Sequence, residues 1–223
     1  MAEFLPAHRR TMGTEGGFAN NPADLGGMTY KGIARKYWDH LPLWKIIDNH
    51  LRDSPPQPAY GTRAYRLWVA PLNKRLAADV ALQSAVLAFY KAVLWNTNRL
   101  SEVADQKVAD WLYDHVVNGG GQGIKWMQEA AGVTADGQIG PKTIAAINSF
   151  DPYVLLNRAE DEAAVYRLAR AAAKPSQIQF LPSWLTRDGL SEKEIAHVMA
   201  AAADGKLTAA EVETLSAEIR ATV

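Results

Sequence analysis

The sequence predicts a mainly α fold in which any β-structure is a hairpin confined to one glycine-rich loop. Helical periodicity is clearest over residues 74–97, where apolar residues recur at a spacing near 3.6. Asp151 followed by proline is a strong helix start, and Ser191 and Thr208 each precede a glutamate by three residues, the pattern of a capping box. Strand-like alternation is absent except for short pieces near residues 17–30.

The other elements follow from helix starts and stops along the chain. Residues 2–15 predict a first helix, and residues 31–50 predict a helical segment that Pro42 breaks or kinks. Later helices are predicted to end at Asn118-Gly119, to cover residues 124–131 and Lys142–Phe150, and to run from Pro152 towards Ala173. We divide the chain into one domain of residues 1–187, of which about 120–187 form a separate helical part, and a helical hairpin of residues 188–223.

Composition excludes several classes of protein. A chain of 223 residues is long enough to bury a substantial core. Its net charge is zero, which gives no support for a nucleic-acid partner. It has no cysteine, so the fold needs no disulfide, and no run of eighteen apolar residues, so no membrane span is expected.

The stretch from Glu15 to Ile33 is the strongest candidate for a functional site. It holds five glycines and almost no apolar periodicity, which indicates a loop. Glu15 continues the inward-facing stripe of the first helix and is followed by Gly16 and Gly17, which end that helix. A carboxyl half-buried at this position has a raised pKa and suits a general acid. The alternative is a glutamate that simply ends a helix in water.

This stretch, E-G-G-F-A-N-N-P-A-D-L-G-G-M-T-Y-K-G-I, resembles the opening motif of the glycoside hydrolase 108 muramidases. That family includes phage endolysins and bacterial secretion-associated lysozymes. The resemblance resumes near Trp111 and continues through N-G-G-G-Q-G-I-K-W-M-Q-E-A-A-G-V and D-G-Q-I-G-P-K-T. It implies a lysozyme-like helical domain that hydrolyses the β-1,4 bond between N-acetylmuramic acid and N-acetylglucosamine in peptidoglycan, without a metal or organic cofactor.

The order Glu15, Asp24, Thr29 across the loop also resembles that of phage-type lysozymes, and this resemblance implies catalytic roles. Glu15 would donate the proton to the leaving oxygen, and Asp24 and Thr29 would place a water on the far face of the sugar, giving inversion. Inversion needs the two carboxyls about 6.5–9.5 Å apart, whereas a separation near 5 Å indicates retention. An aspartate in this setting is also a common turn former, and that alternative stays open for Asp24.

Four further residues are candidates for substrate binding. Asn20 would bond N-acetyl groups or build the turn, and Tyr30 would wall the cleft or pack inside the protein. Asp114 and Asn118, four residues apart, share one helix face and would reach the substrate from the wall opposite Glu15. A helix C-cap is the alternative role for Asn118.

Two C-terminal motifs have competing interpretations. The run D-G-Q-I-G-P-K-T from Asp136 resembles a helical peptidoglycan-binding repeat, and it is also a tight turn before a proline-started helix. Residues near Gly205 resemble half of an EF-hand, but Ala200 and Ala202 would occupy ligand positions and offer no side-chain oxygen. We therefore predict no calcium site and no other metal site.

The predicted partner is the glycan strand of peptidoglycan, bound by a monomer. Two rival functions stay open: a lytic transglycosylase, which closes the sugar into a 1,6-anhydro ring, and a non-catalytic wall-binding accessory of a secretion system. The N-terminus lacks the order of a signal peptide. We therefore expect synthesis in the bacterial cytoplasm and action on the wall after release through a phage holin or a secretion system.

Overall fold

The computed structural model describes residues 1–12, 16–22 and 26–221. The chain forms two compact units. The small unit is His8–Thr97, and the large unit combines Met1–Ala7 with Asn98–Val223. Both are mainly helical, and the described strands form a single three-stranded antiparallel sheet. The predicted mainly α fold with a small hairpin is confirmed.

The small unit combines the sheet with a bundle of helices. Helix α1, Phe4–Met12, leads into it. The strands are β1 Phe18–Asn20, β2 Met28–Tyr30 and β3 Ile33–Ala34, in the order β1-β2-β3. The helices are α2 Arg35–Trp38, α3 Pro42–Arg52, α4 Arg63–Ala78 and α5 Val80–Tyr90, and α5 continues as a π-helical Lys91–Asn96. Its core is formed by buried residues of α3, α4 and α5: Leu43, Trp44, Ile47, Leu72, Leu76, Leu82 and Val86.

Two helix boundaries of the small unit test the predictions from sequence. The predicted break at Pro42 is confirmed, since Pro42 is the first residue of α3. The single helix predicted over 74–97 is wrong, because the chain turns at Asp79 between α4 and α5. The Asp79 carboxylate accepts a hydrogen bond of 2.9 Å from the Leu82 N–H and is bonded to His50 Nε2 at 2.8 Å. The bond to His50 is the main cause that lowers the pKa of Asp79, so this cap carries a negative charge.

The large unit is arranged around one long helix. Its first helices are α6 Gln106–Gly119, α7 Gly121–Ala130 and α8 Pro141–Ser149, followed by α9 Pro152–Ala173 and α10 Leu181–Arg187. Asp151 caps α9 as predicted, because its carboxylate accepts from the N–H groups of Tyr153 and Val154. Helix α9 packs against α6, α7 and α10. Three of its buried residues, Ala159, Ala163 and Ala164, are small enough to let those helices approach closely.

The C-terminal segment adds α11 Glu192–Ala201 and α12 Ala209–Arg220. Both predicted capping boxes are confirmed: Ser191 pairs with Glu194, and Thr208 pairs with Glu211. Helix α12 packs against α9, and α11 packs against α10. The apolar side chains of these two helices join the core that α9 and α10 form: Leu168, Leu181, Leu185, Val198, Leu215 and Ile219.

Within residues 1–12, 16–22 and 26–221, no single helix has both the length and the hydropathy of a membrane span. Helix α4 and the continuous segment Val80–Asn96 meet the criterion only together, by length and composition, and they are bent by 78° at the break between them.

Candidate active site

The small sheet has two chemically different faces. Phe18 pairs with Tyr30, and Tyr30 pairs with Ile33, so these three side chains lie on the same face. All three are at most 3% exposed. The opposite face carries small side chains, since Thr29 pairs with Ala19 on one side and with Ala34 on the other. The sheet therefore packs through its aromatic face and carries half-buried small residues on the other.

Thr29 is the polar side chain at the centre of this small-residue face. It is half-buried, and no described residue makes a hydrogen bond with its hydroxyl. A hydroxyl can donate one hydrogen bond and accept two. Because its neighbours in the two adjacent strands are alanines, no bulky side chain lies across from Thr29 in either strand pair.

Of the two glycines that follow Glu15, Gly17 has no space for a side chain, whereas Gly16 has. The Phe18 N–H donates a 2.7 Å hydrogen bond to Asn73 Oδ1 on α4. This brings the backbone so close that a Cβ on Gly17 would lie 2.5 Å from Asn73 Cγ, whereas a Cβ on Gly16 would meet nothing within 4 Å. The second glycine therefore allows the chain to be anchored on α4 just before β1 begins.

Asn20 is tied to the connector between α3 and α4. Its Nδ2 donates a 3.0 Å hydrogen bond to Gln57 Oε1, and Gln57 Nε2 donates a 3.2 Å bond back to the backbone oxygen of Asn20. The Asn20 N–H donates to Tyr65 Oη at 3.4 Å. Asn20 lies two residues after Phe18 and therefore points to the aromatic side of the sheet, opposite Thr29.

Tyr30 is a buried anchor of β2. It is 1% exposed, and its hydroxyl accepts a 3.0 Å hydrogen bond from Gln83 Nε2. Burial is the main cause that raises the pKa of Tyr30, so the phenol stays neutral. Gln83 Oε1 in turn accepts from Lys31 Nζ at 2.8 Å, and Tyr90 Oη donates to the Lys31 backbone oxygen at 2.6 Å. These bonds fix the turn that follows Tyr30.

His8 is a buried titratable group on α1, the helix that precedes Glu15. It is 7% exposed, and its ring lies 5.2 Å from that of Tyr90. Burial, assisted by the charge of Lys31, lowers the pKa of His8 to about 4. His8 is therefore neutral at pH 7.

Two predicted catalytic residues, Glu15 and Asp24, lie outside the described residues. Their distances to Thr29, and the carboxyl separation that distinguishes inversion from retention, stay predictions. The structure places Thr29, Asn20 and Tyr30 in one sheet. It divides them between two faces, with Thr29 on one and the other two on the opposite one.

Asp114 and Asn118 lie in the large unit, near the end of α6. They share one face as predicted, because Asn118 Nδ2 donates a 2.8 Å hydrogen bond to the Asp114 backbone oxygen. Asp114 is half-buried, and its carboxylate is 3.7 Å from Arg187 Nε. Asn118 is exposed and lies within the helix, which is capped by Gly120 with a φ of +59°. Asn118 is therefore not the C-cap.

The D-G-Q-I-G-P-K-T motif is organised by a residue outside it, Gln128 on α7. Gln128 is 1% exposed, and its Nε2 donates to Asp136 Oδ1 at 2.8 Å and to the Gln138 backbone oxygen at 3.0 Å. Its Oε1 accepts from the Gly137 N–H at 2.9 Å. The bond from Gln128 is the main cause that lowers the pKa of Asp136. The turn is thus held by internal bonds.

A buried ionic cluster in the large unit was not predicted from the sequence. The Asp188 carboxylate, which is fully buried, is bonded to His115 Nε2 at 3.1 Å and to Arg167 Nε at 3.3 Å. Burial raises the pKa of nearby Glu160 to about 7, and the charge of Asp161 contributes to the shift. Asp188 and His115 are 73 residues apart in the chain. No local pattern could therefore have shown that they meet.

Among the described residues, no group of three or more histidine, aspartate or glutamate side chains is arranged to hold a metal ion.

Comparisons with known proteins give two family matches and a similar solved structure. The model of a family described as Glycosyl hydrolase 108 matches residues 8–120, and a model described as Predicted Peptidoglycan domain matches residues 122–188. Among solved structures, the chain is similar to one described as the structure of Brucella abortus SagA, with 21% identity and a TM-score of 0.49. That similarity covers 92% of this chain and 96% of the other. Comparison with curated proteins finds no match.

The two family-model matches define a glycosidase that acts on peptidoglycan, with a peptidoglycan-binding domain after its catalytic region. The first match covers more than half of the chain. The chain belongs to the glycosyl hydrolase 108 family.

Proposed function

We propose that this chain is a muramidase that hydrolyses the β-1,4 bond between N-acetylmuramic acid and N-acetylglucosamine in peptidoglycan. The observation that carries the proposal is the family match over residues 8–120, which contains Glu15, Asp24 and Thr29 together. The position of Thr29 on the small-residue face of the sheet, with no described hydrogen-bond partner for its hydroxyl, supports a role in holding water.

In the proposed reaction Glu15 is the general acid. It gives its proton to the glycosidic oxygen as the bond to the anomeric carbon breaks through an oxocarbenium-like transition state. Asp24 accepts a proton from a water that Thr29 helps to hold, and the water oxygen bonds to the anomeric carbon from the opposite face. The products are two shorter strands, one of which ends in a new reducing sugar of inverted configuration.

The large unit supplies contacts with the polymer in this proposal. Asp114 and Asn118 contact the substrate, and the exposure of Asn118 at the end of α6 supports that role. We place the site of action at the bacterial cell wall, where a monomeric endolysin would arrive through a phage holin or a secretion system. Asn20 and Tyr30 support the hairpin from its aromatic side.

The fragments that the protein releases from purified peptidoglycan sacculi test which bond is cleaved and by which reaction. We expect new reducing ends on N-acetylmuramic acid, and fragment masses that include one added water for each bond cleaved. Products lighter by one water would instead identify a lytic transglycosylase, since that enzyme forms a 1,6-anhydro ring. Binding to sacculi without any released sugar ends would contradict catalysis and leave a wall-binding accessory.

The Thr29→Val variant tests the role of the hydroxyl, because valine keeps the shape and suits a strand. We expect kcat to fall by about tenfold to a hundredfold, which corresponds to roughly 1.4–2.7 kcal/mol of transition-state stabilisation. The Thr29→Ser variant retains the hydroxyl and is expected to stay within a few fold of the wild type. Equal kcat values for Thr29→Val and the wild type would remove Thr29 from the mechanism.

A further inference from the structure

A group of aromatic and amide side chains beside β1 has no part in the proposed reaction. We call it the Tyr60 platform and define it by these residues: Asn20, Gln57, Tyr60, Tyr65 and Trp68. The ring of Tyr60 lies 4.8 Å from that of Tyr65, which lies 5.7 Å from the ring of Trp68. Tyr65 is 6% exposed, whereas Tyr60 is 41% exposed. The buried ring of Tyr65 therefore packs beneath the partly exposed ring of Tyr60.

Local bonds hold Tyr60 in position before any ligand arrives. The connector that precedes it is rich in proline, which limits its conformations. Trp68 Nε1 donates a 2.8 Å hydrogen bond to the Pro55 backbone oxygen, which ties the connector to α4. Thr62 Oγ1 donates to the Ala59 backbone oxygen at 2.7 Å, which closes the turn around Tyr60. Because Tyr60 is already held in place, a ligand that stacks on it requires little further ordering of the protein, and the loss of conformational entropy on binding is small.

The amide pair next to the rings is complementary to an acetamido group. Asn20 and Gln57 are joined through Asn20 Nδ2 and Gln57 Oε1, and Gln57 Nε2 also donates to the Asn20 backbone oxygen. A carboxamide has two donor hydrogens and an acceptor oxygen. The Asn20 Oδ1 acceptor and the second Gln57 Nε2 hydrogen have no partner among the described residues. An N-acetyl group presents the matching N–H donor and C=O acceptor.

The charge next to the platform favours an anionic glycan. Arg63 and Arg66 lie in the first turn of α4, directly after the turn that holds Tyr60. Neither forms an ion pair with any described residue, although the chain as a whole has no net charge. N-acetylmuramic acid and its peptide carry carboxylates that these arginines can attract.

The platform lies on the opposite side of the sheet from Thr29. Asn20 and Phe18 share one face, and the Phe18 ring makes an edge-on contact with that of Trp68, with 6.2 Å between the ring centroids, so the aromatic side of the sheet continues into the platform. Thr29 lies on the other face. A glycan bound at Tyr60 is therefore in a different place from one that reaches Thr29.

We propose that the Tyr60 platform is a second glycan-binding site, which stacks an N-acetylated amino sugar on Tyr60 and bonds its acetamido group through Asn20 and Gln57. The proposed function is needed only to name peptidoglycan as the source of this glycan. A second contact on the same polymer raises the effective concentration of the strand at the catalytic face. The site thus retains the enzyme on an insoluble wall between cleavage events.

Binding of the neutral hexamer of N-acetylglucosamine tests this site, measured by calorimetry at 4 °C in the full chain carrying Glu15→Gln. In that background Tyr60→Ala is expected to raise Kd about tenfold, equivalent to about 1.4 kcal/mol. Tyr60→Phe keeps the ring and is expected to stay within about threefold. The matched control is Tyr37→Ala, which removes a tyrosine of the same unit that is 62% exposed, and it is expected to leave Kd unchanged.

Each outcome decides the proposal. A Kd for Tyr60→Ala within twofold of the parent overturns it, as does an equal loss in Tyr37→Ala or Tyr60→Phe. Thermal unfolding of each variant shows whether a loss of binding comes from misfolding, and Gln57→Ala, at an exposed position, then provides the second test of the same site. If Tyr60→Ala weakens hexamer binding but the wild-type chain never cleaves sacculi, the muramidase function is contradicted and the platform proposal stands. If the protein cleaves sacculi but Tyr60→Ala leaves the Kd for the hexamer unchanged, the muramidase function stands and the platform proposal is contradicted.

Discussion

Replacing Gly17 by alanine should destabilise the small unit far more than the same change at Gly16. A Cβ at Gly17 would lie 2.5 Å from Asn73 Cγ, whereas a Cβ at Gly16 would meet nothing within 4 Å. Neither glycine is among those with a positive φ, so alanine suits both backbones and only the space differs. The amide of Asn73 would have to move, and its 2.7 Å hydrogen bond from the Phe18 N–H would be lost.

The expected cost of Gly17→Ala is about 1–2 kcal/mol, because the half-buried Asn73 amide can rotate away from the new methyl but then loses its hydrogen bond, worth about 1 kcal/mol. For a unit of this size such a loss lowers Tm by roughly 5–15 °C. Gly16→Ala should change the free energy of unfolding by less than about 0.5 kcal/mol. Thermal unfolding followed by tryptophan fluorescence and circular dichroism measures both variants.

A double-mutant cycle separates the steric cause from other effects. Adding Asn73→Ala to Gly17→Ala removes the group that the new methyl would meet, so the pair should be more stable than the sum of the two single changes predicts. Strict additivity, or equal losses for Gly16→Ala and Gly17→Ala, would refute the argument that Asn73 explains the second glycine.

A buried histidine and a half-buried glutamate give opposite pH dependences of stability. The pKa of His8 is about 4 in the folded chain against an ordinary 6.5, so the unfolded chain binds its proton first and stability falls as pH drops from 6.5 to 4. In urea unfolding of the small unit, the free energy of unfolding of His8→Gln should fall by about 2 kcal/mol less than that of the wild type over this pH range. If the free energies of the two proteins change in parallel with pH, the prediction is contradicted. The pKa of Glu160 is raised to about 7 against 4.5, so stability falls as pH rises from 4.5 to 7. In the large unit, the free energy of unfolding should fall between pH 5 and pH 8 by roughly 1–2 kcal/mol less in Glu160→Gln than in the wild type, after allowance for solvent screening. An equal fall in both proteins would show that folding does not shift the pKa of Glu160.

Features that depend on bonds between near neighbours could be predicted from the sequence. The caps at Asp151, Ser191 and Thr208 each involve groups no more than three residues away, so their patterns identify them. The start of α3 at Pro42 follows from the missing N–H of proline. Such local rules located most of the helices of both units.

The helix predicted over 74–97 shows where periodicity fails. Apolar residues keep their helical spacing through Asp79, but the Asp79 carboxylate accepts from the Leu82 N–H and starts a new helix. Its bond to His50, 29 residues earlier in the chain, holds that conformation. An aspartate inside a periodic stretch is compatible with either a continuous or a broken helix, and a distant partner made the difference.

The sequence indicates which residues are candidates for the site but not how they are arranged. The motif indicated Thr29, Asn20 and Tyr30 as neighbours in the chain, and the strand register then divided them between two faces of the sheet. The partner of Asn20 is Gln57, 37 residues away, and that of Tyr30 is Gln83, 53 residues away. Such pairings depend on where the connector before α4 and the helix α5 lie in the fold, which no local pattern specifies.

The rate of reducing-end release from purified sacculi by Glu15→Gln tests the central claim most directly. Glutamine keeps the size and hydrogen bonding of the side chain but cannot donate an acidic proton, so kcat should fall by about 10²–10⁴-fold. Glu3→Gln, an exposed glutamate just before α1, is the matched control and should release sugar ends at the wild-type rate. A Glu15→Gln variant that cleaves sacculi as fast as Glu3→Gln would contradict a glutamate general acid at this position.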